Sequence, residues 1–125
     1  MKRSVENLTK RKLTGGKRRA YRSRRKYEID RYPSEPIVGE AQIVKKRVRG
    51  GNIKLAVREI NYANVATDNK VTRAKIVRVT DNPANRDYAR RGVITKGAII
   101  ETEVGNAKVI SRPGQDGTVN AILLK

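Results

Sequence analysis

Guanidinium, ammonium and phenol groups crowd the first 32 residues of this sequence. The 125-residue chain has 30 Lys and Arg residues, and residues 1–32 hold 13 of them against three acids, a net charge of +10. Tyr21, Tyr27 and Tyr32 are interleaved with these bases. Arg binds phosphate oxygens in bidentate fashion, and aromatic rings and guanidinium planes stack on unpaired bases. The pattern indicates a segment that binds RNA, although each tyrosine could instead anchor the segment to the rest of the protein.

A second set of bases flanks Gly50-Gly51-Asn52, a turn signal between two strand-like runs. Because strand side chains alternate between faces, this hairpin can turn an apolar side inward and one basic stripe outward. The predicted stripe comprises Lys45, Arg47, Arg49, Lys54 and Arg58. The two glycines let backbone N–H groups approach a phosphate closely. The alternative is a solvated strand face with a flexible tip. Arg73 and Lys75 extend the stripe only if their register allows it.

Groups suited to catalysis are few. The sequence contains neither His nor Cys, which removes the commonest general base and all thiolate sites. Glu101 and Glu103, predicted to share a strand face, could do acid–base work or hold a metal, but nothing near them in sequence supports a pocket. Thr14-Gly15-Gly16-Lys17 lacks the spacing of a nucleotide-binding loop and is predicted to be a flexible bend. Most catalytic constellations are therefore absent, and we expect no metal site and no small-molecule substrate. A carboxylate-dependent enzyme that uses Glu101 and Glu103 stays open as an alternative.

The sequence divides into three zones. Residues 1–32 form a basic arm with too little apolar surface to offset the entropy of ordering it, so we expect it to be disordered when free. Pro33 and Pro36 bracket a connector, residues 33–36, because proline biases itself and its preceding residue toward extended backbone. Residues 37–125, rich in Val, Ile and Gly, then form the body.

Short strands dominate the predicted body. Strands are expected over residues 42–49, 53–60, 71–80, 98–104, 107–111 and 118–124, and residues 61–67 can continue the second of them. Asn82 is placed to cap a short helix over residues 83–91 that ends at Gly92, and Pro113-Gly114 suits a type II turn. About six antiparallel strands with a core of Ile, Val, Leu and Ala close best into a small β-barrel, because closure removes exposed strand edges. The fold class is therefore all-β.

Targeting and membrane signals are not visible in the sequence. No apolar segment follows Met1-Lys2-Arg3, and no stretch approaches the roughly 20 apolar residues of a membrane helix. We expect a soluble cytoplasmic protein with no membrane partner.

Four ordered blocks give the sequence a family resemblance. They are Lys10-Arg11-Lys12-Leu13-Thr14-Gly15-Gly16-Lys17-Arg18, Arg24-Arg25-Lys26-Tyr27-Glu28, Arg47-Val48-Arg49-Gly50-Gly51-Asn52, and Ser111-Arg112-Pro113-Gly114-Gln115-Asp116-Gly117. Their order and spacing resemble the archaeal form of the "eight-e" family of small-subunit ribosomal proteins over essentially the whole chain. The resemblance implies a β-barrel with a basic N-terminal extension, built against rRNA and beside neighbouring small-subunit proteins. It implies no enzyme activity and no cofactor.

Residue chemistry and resemblance together define a set of candidate rRNA-binding residues. In the arm they are Lys10, Arg11, Lys12, Gly15, Gly16, Lys17, Arg18, Arg19, Tyr21, Arg22, Arg24, Arg25, Lys26 and Tyr27; in the hairpin they are Lys45, Arg47, Arg49, Gly50, Gly51, Asn52, Lys54 and Arg58. A ribosome-assembly factor or a general nucleic-acid chaperone would use the same surfaces. The short chain favours a structural constituent of the small ribosomal subunit.

Overall fold

A computed structural model describes residues 11–19, 22–23, 25–28, 31–68 and 70–124. The chain divides into two compact units, Met1–Pro33 and Ser34–Lys125. In the first unit, a tight turn brings Arg11 opposite Lys17 in an isolated antiparallel bridge. A single 3-10 turn, Lys26–Glu28, follows. No helix among the described residues is long and apolar enough to cross a membrane.

The second unit contains eight strands and two short helices among its described residues. In chain order they are β1 (Ile37–Val38), β2 (Gln42–Arg47), β3 (Ile53–Ile60), β4 (Tyr62–Ala66), β5 (Val71–Asp81), α1 (Arg86–Arg91), β6 (Ile99–Thr102), β7 (Gly105–Val109), α2 (Pro113–Asp116) and β8 (Asn120–Leu123). A 3-10 turn, Arg49–Gly51, joins β2 to β3. The all-β class predicted from the sequence is confirmed.

A closed five-stranded barrel forms the centre of this unit, in the order β4-β5-β6-β7-β8. Four of its ladders are antiparallel, and a parallel ladder between β4 and β8, with Asn64 opposite Asn120, closes the ring. Alternate side chains point inward, as the period of a strand requires. The buried core consists of Ile, Val and Ala: Val57, Ile60, Ala63, Val65, Ala74, Ile76, Ile94, Ala98, Ile100, Ala107, Val109, Val119 and Ala121. Leucine, expected in the core, is represented among the described residues that pack against it by the partly buried Leu123.

The hairpin of β2 and β3 lies outside the barrel, so the ring contains five strands where about six were predicted. It forms a separate three-stranded sheet in the order β1-β3-β2, in which the two-residue strand β1 pairs parallel to β3. The hairpin is joined to the core at its base, where Ala56 and Val57 are buried. The barrel therefore closes with five strands, and the outer part of the hairpin lies beyond it.

Helix α1 starts three residues later than predicted because Asn85, not Asn82, is its N-cap. The Asn85 side chain accepts a hydrogen bond from the backbone N–H of Asp87 at 2.9 Å. Asn82 is instead buried: its Nδ2 donates to the Val93 carbonyl at 2.9 Å, and its Oδ1 accepts from the Ala84 N–H at 3.1 Å. The helix ends as predicted at Gly92, whose φ of 66° is the left-handed conformation that glycine adopts readily.

The predicted type II turn at Pro113-Gly114 is wrong. Residues Pro113–Asp116 form one helical turn, α2, with Pro113 at its first position, where its missing N–H costs nothing. The Asp116 carboxylate accepts from the Arg112 N–H at 2.9 Å, which fastens the start of the turn. Gly117 ends it with a φ of 78°.

Candidate nucleic-acid interface

The register of the hairpin distributes its bases over both faces of the ladder. Lys45 lies opposite Leu55 and Arg47 opposite Ile53, while Lys46 lies opposite Lys54. Directly opposite residues in an antiparallel pair share a face. Lys45 and Arg47 therefore lie on the face of Leu55, and Lys54 lies on the other. The prediction of one outward stripe is wrong by one residue of register, which is enough to move a whole strand's side chains to the opposite face.

Apolar side chains accompany the bases on both faces of the outer hairpin. Ile53 is 63% exposed beside Arg47, and Ile43 is 47% exposed on the same face. On the other face, Val44 is 41% exposed next to the half-buried Lys46. A projecting ribbon with cations and aliphatic side chains on two sides can contact phosphates and the apolar faces of riboses or bases simultaneously. The bases of this ribbon are therefore distributed over both of its faces.

The hairpin tip is a short turn fixed by its own backbone. The Val48 N–H donates to the Asn52 carbonyl at 2.8 Å, and the Asn52 side-chain amide donates to the Arg49 carbonyl at 3.3 Å. Gly50 and Gly51 have φ of 70° and 76°, which L side chains rarely adopt. The glycines are needed for this conformation, and they also leave the tip without side-chain bulk. Arg49 stands exposed at the start of the turn.

Helix α2 holds the middle of β3 from one side. Leu55 forms an isolated parallel bridge with Asp116, and the Lys54 Nζ donates to the Gln115 Oε1 at 2.7 Å. A Cβ added at Gly117 would lie 2.6 Å from the Leu55 Cβ, so the two backbones meet closely there. The predicted base Lys54 is thus already engaged within the protein. Arg58, between the paired residues Val57 and Glu59 at a register shift, remains exposed.

Ion pairs tie α1 to the segment that precedes β1. Arg91 bonds to Glu35 and, through its Nη1, reaches the Asp87 Oδ2 at 3.5 Å. The hydrogen bond and the charge of Glu35, with a smaller contribution from Asp87, raise the pKa of Arg91 above its already high ordinary value. Arg91 therefore stabilises the contact between α1 and the segment that precedes β1.

The first arm block forms a small basic turn rather than an unstructured bend. The Lys12 N–H donates to the Gly16 carbonyl at 3.0 Å, and the Gly15 N–H donates to the Lys12 carbonyl at 2.9 Å. Arg11 Nη1 adds a bond to the Gly15 carbonyl at 2.9 Å. Residues 11–19, with the candidates Arg11, Lys12, Gly15, Gly16, Lys17, Arg18 and Arg19, are all exposed. The turn presents a dense array of cations without burying any of them.

The second arm block is organised around Glu28. Its carboxylate accepts two bonds from Arg22, at 2.7 and 2.5 Å, and one from the Arg25 N–H at 3.0 Å. Arg22 is therefore partly occupied by an acid, whereas Lys26 and Tyr27 are exposed, Tyr27 to 66%. The candidates Lys10, Tyr21 and Arg24 lie outside the described residues.

The carboxylate pair considered for catalysis is not a pair in the structure. Glu101 lies on β6 and its Oε2 accepts from the Arg78 Nε at 2.6 Å. Glu103 lies beyond the end of β6, and its N–H donates to the Lys75 carbonyl at 3.2 Å. Within the described part of the chain, no group of three acidic side chains could hold a metal ion. Glu101 is therefore bonded to Arg78, and Glu103 lies outside the strand that contains Glu101.

Comparison with known proteins identifies the family. A family model described as Ribosomal protein S8e matches residues 5–124. The chain belongs to the ribosomal protein S8e family. Similar curated proteins are each named Small ribosomal subunit protein eS8. One from Nanoarchaeum equitans is 51% identical over 115 residues, covering 90% of this chain and 91% of the relative. One from Sulfolobus acidocaldarius is 51% identical over 118 residues, covering 92% of each. One from Methanocorpusculum labreanum is 45% identical over 117 residues. The family inferred from the four sequence blocks is confirmed.

Two features of this S8e chain escaped sequence reasoning. Lys46, which lies outside the predicted stripe, is half buried and lies opposite Lys54. Arg73 and Lys75 do not extend the hairpin stripe, because they lie on β5 of the barrel. The alternation around the buried Ala74 and Ile76 was the signal that could have placed them on an outer barrel face.

Proposed function

We propose that this S8e chain is a structural component of the small ribosomal subunit, in the cytoplasm, and that it binds rRNA through its arm and its hairpin. Membership of the family supports the ribosomal role, since the curated relatives are named as small-subunit proteins. The net charge of +18 supports the rRNA contact, because a ribosomal protein must neutralise densely packed phosphates. Neighbouring small-subunit proteins are its other proposed partners.

The observation that carries the proposal is the geometry of the two basic projections. The turn around Gly15 and the hairpin tip around Gly50 are each closed by backbone hydrogen bonds, and each presents exposed Arg and Lys side chains. The cations of residues 11–19 are all exposed, and in the hairpin Lys54 is bonded to Gln115. Exposed cations on slender ribbons can reach phosphates in grooves that a flat barrel face cannot enter.

The mechanism is counterion release with local ordering. Each neutralised phosphate lowers the logarithm of affinity by about 0.7–0.9 per logarithmic unit of salt. Segments of the arm that order on binding cost entropy, which counterion release and base stacking offset. We propose that the candidate residues of both projections make these contacts, with Tyr27 available for stacking.

The experiment measures rRNA affinity against salt for full-length variants. Replacing Arg11, Lys12, Lys17 and Arg18 by Gln should lower the slope by about 3, since up to four phosphates lose their cation. Lys45→Gln with Arg49→Gln should lower it by about 1.5. Arg86→Gln with Arg90→Gln on α1 is the matched control with the same charge loss as the hairpin pair, and it should change the slope little.

The outcomes separate the proposal from its rivals. An equal change of slope per removed charge in the arm, hairpin and control variants would show that charge alone, not these projections, governs binding. Equal affinity for duplex DNA and rRNA would instead support a general nucleic-acid chaperone. Absence from salt-washed mature subunits, with presence in immature ones, would support an assembly factor.

A further inference from the structure

The outer face of the barrel carries a compact polar patch, formed by Tyr62, Asn64, Arg73, Lys75 and Asn120 and called the barrel patch below. Tyr62 lies opposite Lys75 and Asn64 opposite Arg73 in the ladder of β4 and β5. Asn120 lies beside Asn64 on β8. The residues between them in sequence, including Ala63 and Val65, are buried in the core. Because strand side chains alternate, the patch residues lie on the outer face of the barrel, where the partly buried Tyr62 also packs against the core cluster.

A stacked Arg–Tyr pair is the centre of the barrel patch. The guanidinium carbon of Arg73 lies 3.5 Å from the centroid of the Tyr62 ring. One face of the guanidinium plane is therefore covered by the ring, while the Arg73 side chain as a whole remains exposed. The planar cation is held in one orientation before any ligand arrives. Its uncovered face has the size and polarity of the platforms on which unpaired bases stack.

An amide pair lies beside this platform. The Asn64 Nδ2 donates to the Asn120 Oδ1 at 2.9 Å, and both side chains are half buried. Each amide has a second polar atom, and no described residue bonds the Asn64 Oδ1 or the Asn120 Nδ2. The pair thus offers one acceptor and one donor, whichever way the two amides are oriented. The Watson–Crick edge of a base presents complementary groups.

The five residues of the barrel patch include two bases and no acid. Arg73 and Lys75 are both exposed, and neither β4 nor β8 contains an acid. The acid that ends β5, Asp81, lies at the far end of that strand. Glu103, whose N–H bonds to the Lys75 carbonyl, follows β6 and borders the patch on one side. Lys75 can therefore contact a phosphate next to a base held at Arg73.

We propose that the barrel patch binds an unpaired RNA nucleotide, which stacks its base on the open face of Arg73 and bonds that base to Asn64 and Asn120. The inference rests on the proposed rRNA binding and deepens it, because it adds a site on the barrel for single-stranded RNA. The two projections contribute charge, whereas the barrel patch contributes a shaped platform. Stacking requires a base outside a duplex, so the site discriminates against double-stranded RNA.

Nuclear magnetic resonance on the full-length chain tests the site directly. The side-chain NH₂ signals of Asn64 and Asn120 and the Nε–H signal of Arg73 are followed during titration with short single-stranded RNA oligonucleotides. They should shift with single strands and not with a duplex of equal length. Arg73→Lys keeps the charge but removes the plane, and it should weaken single-strand binding by about tenfold. Arg86→Lys, on the exposed α1, is the matched control and should bind as the unchanged chain does.

Three results would overturn the inference. One is an Arg73→Lys variant with lower thermal stability but unchanged RNA affinity, which would make the stacked pair a structural brace only. Another is unmoved Asn64 and Asn120 signals at RNA saturation. The third is equal shifts with duplex and single strands. If the arm and hairpin variants still lose their salt slope, only the barrel patch fails; if the unchanged chain does not bind rRNA, the proposed function fails with it.

Discussion

Replacing Gly117 by Ala tests how tightly α2 is packed against the hairpin. Gly117 has a φ of 78°, and a Cβ at this position would lie 2.6 Å from the Leu55 Cβ. The left-handed backbone alone costs an L residue about 1–2 kcal/mol. Forcing a methyl group into a packed contact costs about 1–3 kcal/mol more. We therefore expect the free energy of unfolding to fall by about 2–5 kcal/mol, measured by urea denaturation.

Gly97→Ala is the matched control for this change. Gly97 has a φ of 89°, but nothing lies within 4 Å of its added Cβ. It should therefore lose only the conformational cost of about 1–2 kcal/mol. Since 1 kcal/mol corresponds to about 4–8 °C in a domain of this size, the Gly117 variant should melt at least about 5 °C below the Gly97 variant.

A double-mutant cycle identifies the clashing atoms. Leu55→Ala keeps the Cβ, so it should rescue Gly117→Ala little. Leu55→Gly removes that Cβ and should give a favourable coupling energy of about 1–3 kcal/mol with Gly117→Ala. Equal stabilities of the Gly117 and Gly97 variants, or no coupling with Leu55→Gly, would refute the argument that this close approach fixes the hairpin.

Three further predictions concern the body and its charge. Asn82→Ala should destabilise the fold by about 2–4 kcal/mol in urea denaturation, because it orphans the buried Val93 carbonyl and the Ala84 N–H; a loss under about 0.5 kcal/mol would contradict this. Asn85→Ala should cost about 1 kcal/mol by loss of the α1 cap, and Asn85→Ser should recover most of it. Because the sequence has no His, rRNA affinity at constant ionic strength should change less than about twofold between pH 5.5 and 7, and a steep change would reveal a titrating group in the interface.

The strands were predictable because their local signals agree. Alternating apolar residues and turn triplets placed most of the barrel strands within a few residues of where they lie. The presence of a closed barrel followed from the number of short strands. The sequence did not indicate which strands form the barrel, because β2 and β3 have the same local pattern as the barrel strands. Only the long-range parallel pairing of β4 with β8 shows that the ring closes without them.

The hairpin faces were not predictable because register depends on the turn. Its 3-10 conformation over Arg49–Gly51 pairs Arg47 with Ile53, and a register one residue different would have put Lys45 and Arg47 on the same face as Lys54. Asn82 and Asn85 posed a similar choice. Both are good capping residues, and the burial of Asn82 among Val93 and Thr95 decided which one caps α1.

The candidate site was predictable in composition and not in arrangement. Charge density and glycine spacing identified the two projections from sequence. The salt bridge that occupies Arg22 and the hydrogen bond that occupies Lys54 required coordinates. So did the stack of Arg73 on Tyr62, since the register of the ladder between β4 and β5 decides which side chains meet.

Closure of the barrel by its first and last strands imposes an order on events during synthesis. The arm emerges first, and the hairpin can form as soon as β2 and β3 have left the ribosomal exit tunnel. Strand β4, in contrast, must wait for β8, so its edge and that of β7 stay open until the final strand arrives. Open edges invite pairing with other chains. A nascent chain whose cationic segments already bind RNA would be kept apart from other copies of itself while these strand edges are open.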